Sequence, residues 1–277
     1  APLKKTMRIP FYFLISLIFL TSCQEKETKN SVENYTVVNL DFKDYKPSEH
    51  KSFIDLKIEN GINPIEQQLK ISDSGTVSYN FINEKTRELV FNYENREFSL
   101  VVSPNEELNL ELTIAELTDW KSKFNSFKII SGINRVTNNL ILSNTSYIDS
   151  LIKQAPDGFS NDGKSVDIVY KNKRVSEMQE QLKAFELFLN ENNINDKTFI
   201  DWSKSQIRYR AGNDLSFYPF FGTLNKEIDD ENDYFSFIQE VNSNKNDELT
   251  YQSYLKYLET LSTSYKIMCN VADKYSS

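Results

Sequence analysis

Residues 76–81, Thr76-Val77-Ser78-Tyr79-Asn80-Phe81, alternate without a break: Val77, Tyr79 and Phe81 fall on one side, Thr76, Ser78 and Asn80 on the other. A period of two is the mark of a strand with one buried face and one wetted face. Segments of the same kind lie to either side: YTVVNLDF, FIDLKIE and QQLKI before it, ELVFNY, EFSLVVS and LNLELTI after it. They are short and rich in β-branched and aromatic residues. Turn signals separate them at Glu59-Asn60-Gly61, Ser72-Asp73-Ser74-Gly75 and Ser103-Pro104-Asn105. Residues 32–117 therefore read as a β-rich module, an antiparallel β-sandwich-like or curled sheet.

Beyond that module the period changes to that of a helix. Tyr251, Tyr254, Leu258, Leu261, Tyr265, Met268 and Ala272 recur at steps of three and four, a seam that must pack on another helix. Val175, Met178, Leu182, Phe185 and Leu189 repeat the spacing, Ile133, Val136, Leu140, Tyr147 and Leu151 mark a further helix, and Phe199 to Tyr218 carries an aromatic-heavy one. Residues 118–277 read as a helical module of four or five helices. The fold class expected is α+β, a sandwich-like module followed by an α-helical bundle.

The N-terminus gives a cellular address. Lys4, Lys5 and Arg8 precede an uncharged run from Ile9 to Leu20, which is too short to span a bilayer as a stable helix. Leu20-Thr21-Ser22-Cys23 then resembles the bacterial lipobox, in which the cysteine thiol is acylated before cleavage. Residues 1–23 are read as a lipoprotein signal peptide, Cys23 as the lipidation site, and 24–31 as a polar tether. Acyl chains on Cys23 would anchor the protein without spanning the bilayer. Glu25 rather than Asp follows Gln24, and the expectation is outer-membrane attachment, facing the periplasm or the outside.

Composition narrows the chemistry. The net charge of −8 falls to about −11 once Lys4, Lys5 and Arg8 leave with the signal, which argues against a nucleic-acid partner. His50 is the single histidine and seven glycines serve the whole chain, so His-based triads and multi-His zinc sites are disfavoured. Gly158-Phe159-Ser160-Asn161-Asp162-Gly163-Lys164-Ser165 fits the P-loop spacing, but a helix stopped by Ala155-Pro156 precedes it where a P-loop needs a buried strand. It reads as an interhelical loop with Ser165 capping the next helix. Asp229-Asp230-Glu231-Asn232-Asp233 lacks the glycine and distant Glu of a calcium loop and reads as solvated. Trp202, Tyr209, Phe217, Tyr218, Phe220 and Phe221, interleaved with Arg208 and Arg210, are either core or a platform for sugar or peptide.

Three stretches together carry a family resemblance. Ser72-Asp73-Ser74-Gly75-Thr76-Val77-Ser78, Phe98 to Leu112 (FSLVVSPNEELNLEL) and Ile129 to Leu140 (IISGINRVTNNL) resemble, in this order, motifs of the N-terminal region of Bacteroidota thioredoxin-like (TlpA-type) lipoproteins, a DUF4369-like module. Asn105-Glu106 stands where that family usually has Gly-Asp. The resemblance implies a β-rich module followed by helices, in a lipoprotein that continues into a thioredoxin fold with C-x-x-C. None of the matching positions is catalytic in that family. This chain has no C-x-x-C; Cys269, beside Met268, is its one cysteine after Cys23 and reads as a small buried hydrophobe. The function expected is a non-catalytic, membrane-anchored spacer or interaction module of a thiol-disulfide lipoprotein, with a protein or peptide partner. The alternative is a stand-alone lipoprotein for glycan or peptide capture. No catalytic, cofactor or metal-binding residue is assigned.

Overall fold

In a computed structural model, the described residues are 34–58, 64–119, 124–153, 167–218, 233–242 and 251–275. Eight strands come first: β1 (Tyr35–Phe42), β2 (Phe53–Ile58), β3 (Ile65–Lys70), β4 (Thr76–Ile82), β5 (Arg87–Tyr93), β6 (Arg96–Val102), β7 (Glu107–Leu112) and β8 (Lys128–Ser131). A short helix α1 (Ile114–Thr118) separates β7 from β8. Then follow α2 (Arg135–Lys153), α3 (Asp167–Glu191), α4 (Lys197–Phe217), a 3-10 turn (Asp233–Ser236), α5 (Phe237–Val241) and α6 (Gln252–Tyr275). The fold class is α+β, as the change of period implies.

The strands form two four-stranded sheets, ordered β4-β1-β7-β8 and β3-β2-β5-β6. Every pairing is antiparallel except β1 with β7, which run parallel with Val38 opposite Leu108 and Leu40 opposite Leu110. The sheets close on one apolar core. Val38, Leu40, Phe42, Leu108, Leu110 and Leu112 come from the first sheet; Ile54, Leu56, Ile58, Leu89, Phe91 and Leu100 come from the second. In β4, Val77 is buried and Tyr79 and Phe81 pack against that core, while Thr76, Ser78, Asn80 and Ile82 are wholly or partly exposed.

Along β5 and β6 the second sheet is covered on its other face as well. Val101, on the outward side of β6, is fully buried in a second core with Ile141, Met178, Phe185, Trp202 and Tyr257 from the helices. Cover on both faces shows in β5, where Glu88, Leu89, Val90 and Phe91 are buried in succession, while burial in β1 and β2 alternates. Residues 34–277 accordingly make one compact unit of sheet, sheet and helical layer.

One helical stripe differs from the sequence reading at its N-terminal end. Ile133, just before α2, and Val136 in its first turn are 68% and 66% exposed; Leu140 and Tyr147 pack against the helical core, and Thr137, Asn138, Ile141, Leu142, Ile148 and Leu151 are buried. The stripe departs only at this end because the buried side there is polar: Asn138 spends its amide on β6, and hydropathy alone does not mark it. On α6, among residues 252–264, Tyr257, Thr260 and Ser264 are the most buried, and the expected seam residues Tyr254, Leu258 and Leu261 are half-buried and packed against the same core. Small residues bring α4 and α6 close together. A Cβ on Gly212 would sit 2.7 Å from the Tyr257 ring, and Ser264 Oγ donates to Ser216 O at 2.7 Å. On α3 the expected stripe is in place, with Met178, Leu182, Phe185 and Leu189 buried and Val175 packed beside them. The strand β8 lies past residue 117, within the stretch that reads as helical.

Candidate functional site

The motif residues do structural work at the joints between layers. Gly75 turns the chain from the second sheet into the first at φ +81, where a Cβ would strike Phe42 O at 2.7 Å. Asn105 adopts φ 59, the left-handed conformation that a glycine at this turn would take freely. Its neighbour Glu106 is 1% exposed and accepts from Ser103 N at 2.7 Å, Asn134 N at 2.8 Å and Asn134 Nδ2 at 2.7 Å. One carboxylate thus ties the β6–β7 turn to the chain leading into α2. Gly132 gives that carboxylate its space, since a Cβ there would lie 2.7 Å from Glu106 Oε1.

Asn138 completes the arrangement. Val101 N donates to Asn138 Oδ1 at 2.7 Å and Asn138 Nδ2 donates to Val101 O at 2.9 Å, so one side chain acts as a strand partner along the edge of β6. On β5, Glu88 is 1% exposed and accepts from Trp202 Nε1 at 2.9 Å and from Gln252 N, at the start of α6, at 2.8 Å. A carboxylate at a helix N-terminus also opposes the positive end of the helix dipole. These polar groups are consumed in holding helices to sheet.

A different kind of polar centre lies between α3 and α4. Arg174 is 1% exposed and donates from Nε to Asp214 Oδ2 at 3.0 Å. Arg210 reaches the other oxygen, Oδ1, at 3.4 Å. Neither Nη1 nor Nη2 of Arg174 has a hydrogen-bond partner among the described residues, and the same holds for Glu177 Oε2. Tyr170 stacks on Tyr218 with ring centroids 3.7 Å apart. Burial, reinforced by Asp214, pushes the Tyr170 phenol up; burial also pushes the Glu177 carboxyl up, against the opposing pull of Arg174 and Lys173. One turn before Arg174, Lys171 is 6% exposed and donates from Nζ to Ser236 Oγ at 2.8 Å. It lines a cavity of about 250 Å³ with Val175, Ser176, Phe237 and Glu240.

A second depression, of about 470 Å³, lies over the outer face of β2, β3 and β5, where Asp55, Lys57, Glu66, Gln68, Asn92 and Gln252 give it a polar lining. Gln68 Nε2 donates to Asp55 Oδ1 across it at 3.0 Å.

The residues singled out in sequence are not brought together. Cys23, the tether 24–31, the P-loop-like stretch 158–165, the turn at 59–61, residues 229–232 and Phe220 and Phe221 lie outside the described residues, as does the side chain of Cys269. Asp233 begins the 3-10 turn. His50 is half-buried, its Nδ1 accepting from Lys46 N at 3.0 Å and its ring 6.0 Å from that of Tyr45, so it anchors a turn. Of the aromatic group, Trp202, Tyr209 and Tyr218 are buried and Phe217 is 42% exposed. Packing in the core accounts for Trp202, Tyr209 and Tyr218. Arg174 and Glu88 escape sequence reading because charged residues are ordinarily assigned to solvent and their partners lie 40 and 114 residues away. The one available signal was Arg174 falling in register with Met178, on the apolar side of α3.

Comparison with known proteins gives no match: no family model fits the chain, and neither a curated protein nor a solved structure matches it.

Proposed function

We propose that this protein is a membrane-anchored bacterial lipoprotein whose body acts as a non-catalytic spacer and interaction module, of the kind that precedes a thiol-disulfide oxidoreductase domain. The observation that carries the reading is the use made of the motif residues. Gly75, Asn105, Glu106, Gly132 and Asn138 hold turns and bind backbone at the joints, so the pattern shared with thioredoxin-like lipoproteins is a pattern of construction. A body in which helices are pinned to a sandwich by buried carboxylates and amides suits a rigid spacer. The membrane partner is reached through acyl chains on Cys23, and the location is the cell envelope, at the outer membrane.

Replacing Cys23 by serine tests the anchor. The wild-type chain should incorporate labelled palmitate and sediment with membranes, whereas Cys23→Ser should take up no label and leave the membrane fraction. Equal membrane retention of the two proteins would contradict the reading.

A second reading, ligand capture by a stand-alone lipoprotein, draws support from the polar depression over β2, β3 and β5, whose amides and carboxylates could hydrogen-bond a glycan or an extended peptide. The aromatic stretch from Trp202 to Tyr218 gives it little, because most of those rings are buried. Glycan-array binding that is lost in Asn92→Ala and Gln68→Ala would favour this reading over the spacer.

A further inference from the structure

The second sheet has β6 at one edge and β3 at the other. Along β6, Asn138 supplies a strand partner's bonds to Val101; among the described strands, β3 pairs with β2 alone. The phase of its backbone follows from one bond. Ile71 N donates to Ser52 O at 2.8 Å, continuing by one step the register that sets Lys70 opposite Phe53. In an antiparallel pair such hydrogen-bonded positions alternate with positions whose N–H and C=O point away from the partner. Residues 65, 67 and 69 therefore spend their main chain on β2, and Glu66, Gln68 and Lys70 hold theirs out from the edge. The side chains keep the same period: Leu69 is buried in the sandwich core, so Ile65 and Gln67 share its side of the sheet and Glu66, Gln68 and Lys70 lie on the outer one. All of β3 except Leu69 is exposed, Ile65 at 43%. An open edge is a template for another strand, and proteins ordinarily guard it with charge. Here the guards have opposite signs and stand two residues to either side of Gln68.

We propose that β3 pairs with β3 of a second copy of this chain, antiparallel about a twofold axis through Gln68, joining two four-stranded sheets into one. The out-pointing positions are the even-numbered ones, and centring the pair on Gln68 uses all three of them. Gln68 faces Gln68, and Glu66 of each copy faces Lys70 of the other, giving about six main-chain hydrogen bonds. Lys57 on β2 stands opposite Glu66, so the row on the outer face reads Lys57, Glu66 and then Lys70 of the second copy, with alternating sign, and the axis repeats it. Opposite charges set directly across a strand pair stabilise it. The two Asp55 carboxylates, each accepting from its own Gln68, stand three strand spacings apart, about 14 Å, which salt at physiological strength largely screens. On the inner side the exposed Ile65 falls opposite Ile71. In-register parallel pairing would set Glu66 against Glu66 and Lys70 against Lys70, so the charges that repel other arrangements select this one. A strand edge is small beside the roughly 1,600 Å² of a standard complex, and the dimer is accordingly a concentration-dependent one. The inference is independent of the spacer reading, since a spacer acts as well singly.

Sedimentation velocity on the acyl-free mature chain, from about 10 µM to about 1 mM, measures the association. A monomer–dimer equilibrium is expected within that range, and amide exchange at Glu66, Gln68 and Lys70 should slow as the concentration rises. Glu66→Lys and Lys70→Glu, both at exposed positions, each set like charges opposite one another twice and should each weaken association by about tenfold or more. An equimolar mixture of the two variants should recover association that neither shows alone, because every charge at positions 66 and 70 then meets its opposite. A wild-type chain that stays monomeric to about 1 mM overturns the proposal. So does a dimer indifferent to both charge reversals, or a mixture that gains nothing over its components. Should either variant fail to fold, the wild-type amides decide alone: no slowing at Glu66, Gln68 and Lys70 with concentration means that this edge is not the interface.

Discussion

The two halves of the molecule bury polar groups in different ways. In the sandwich Thr36 donates to Ser103 O, Asn83 donates to Thr36, Arg87 donates to Asn83, and Glu106 takes three donors. In the helical layer Arg174, Glu177, Gln181, Ser203, Ser205, Asn213, Ser216 and Tyr257 all carry enclosed polar atoms without partners among the described residues. All such atoms lie between Arg174 and Tyr257. A region with every polar group satisfied resists local opening, and one with open hydrogen-bonding capacity is where a ligand or partner finds something to do. Among the described residues the sandwich is therefore the more fully bonded region, and the helical layer the one with open hydrogen-bonding capacity.

The most damaging substitution should fall in the sandwich. Phe91 is fully buried and stacks on Phe98 with centroids 5.3 Å apart. Phe91→Ala should cost about 3–5 kcal/mol in denaturant unfolding. A loss below about 1 kcal/mol would mean that the sandwich core relaxes freely and the contrast fails. Next comes the seam between the layers. Trp202→Phe removes one donor from the enclosed carboxylate of Glu88 and should cost about 1.5–3 kcal/mol; Glu88→Gln in the same background should recover part of that loss by removing the charge.

The strands were legible because each carries its own pattern. Val77, Tyr79 and Phe81 fall on the core side as the alternation predicts, and β1 and β4 have the bounds read from the residues. The parallel pairing of β1 with β7 was not legible, since it joins strands more than sixty residues apart and no local turn specifies it. Nor was β8, four residues long with only Ile129 buried. Along α2 the apolar spacing found the helix and failed at its N-terminal end, where Ile133 and Val136 are exposed and the polar Asn138 is buried; along α6 the described seam residues Tyr251, Tyr254, Leu258 and Leu261 pack in the core, beside the more buried Tyr257, Thr260 and Ser264 that hydropathy does not mark. Of the candidate site almost nothing could be read in advance: Arg174 and Asp214 meet only when α3 and α4 fold back on each other.

Smaller effects sharpen the contrast from the helical side. Burial holds the Glu177 carboxyl above its ordinary value of 4.5. The folded state then binds this proton more tightly than the unfolded state does, so its contribution is fully present below about pH 4.5 and is lost as pH rises through the raised value. Glu177→Gln should therefore melt higher than the wild type at pH 7, with the difference closing toward pH 4. A difference that stays constant with pH would remove Glu177 from the account. Ser205→Ala, which deletes an enclosed hydroxyl without a partner, should change stability by no more than about 0.5 kcal/mol, and a gain is as consistent as no change.

Native-state hydrogen exchange on the acyl-free mature chain tests the contrast between the two regions most directly. The account predicts that amides of β1, β2, β5 and β7 exchange only through global unfolding. Amides of α3 and α4 around Arg174 and Asp214 should open at a distinctly lower free energy. Equal protection in both regions, or earlier exchange in the central strands than in these helices, would contradict it.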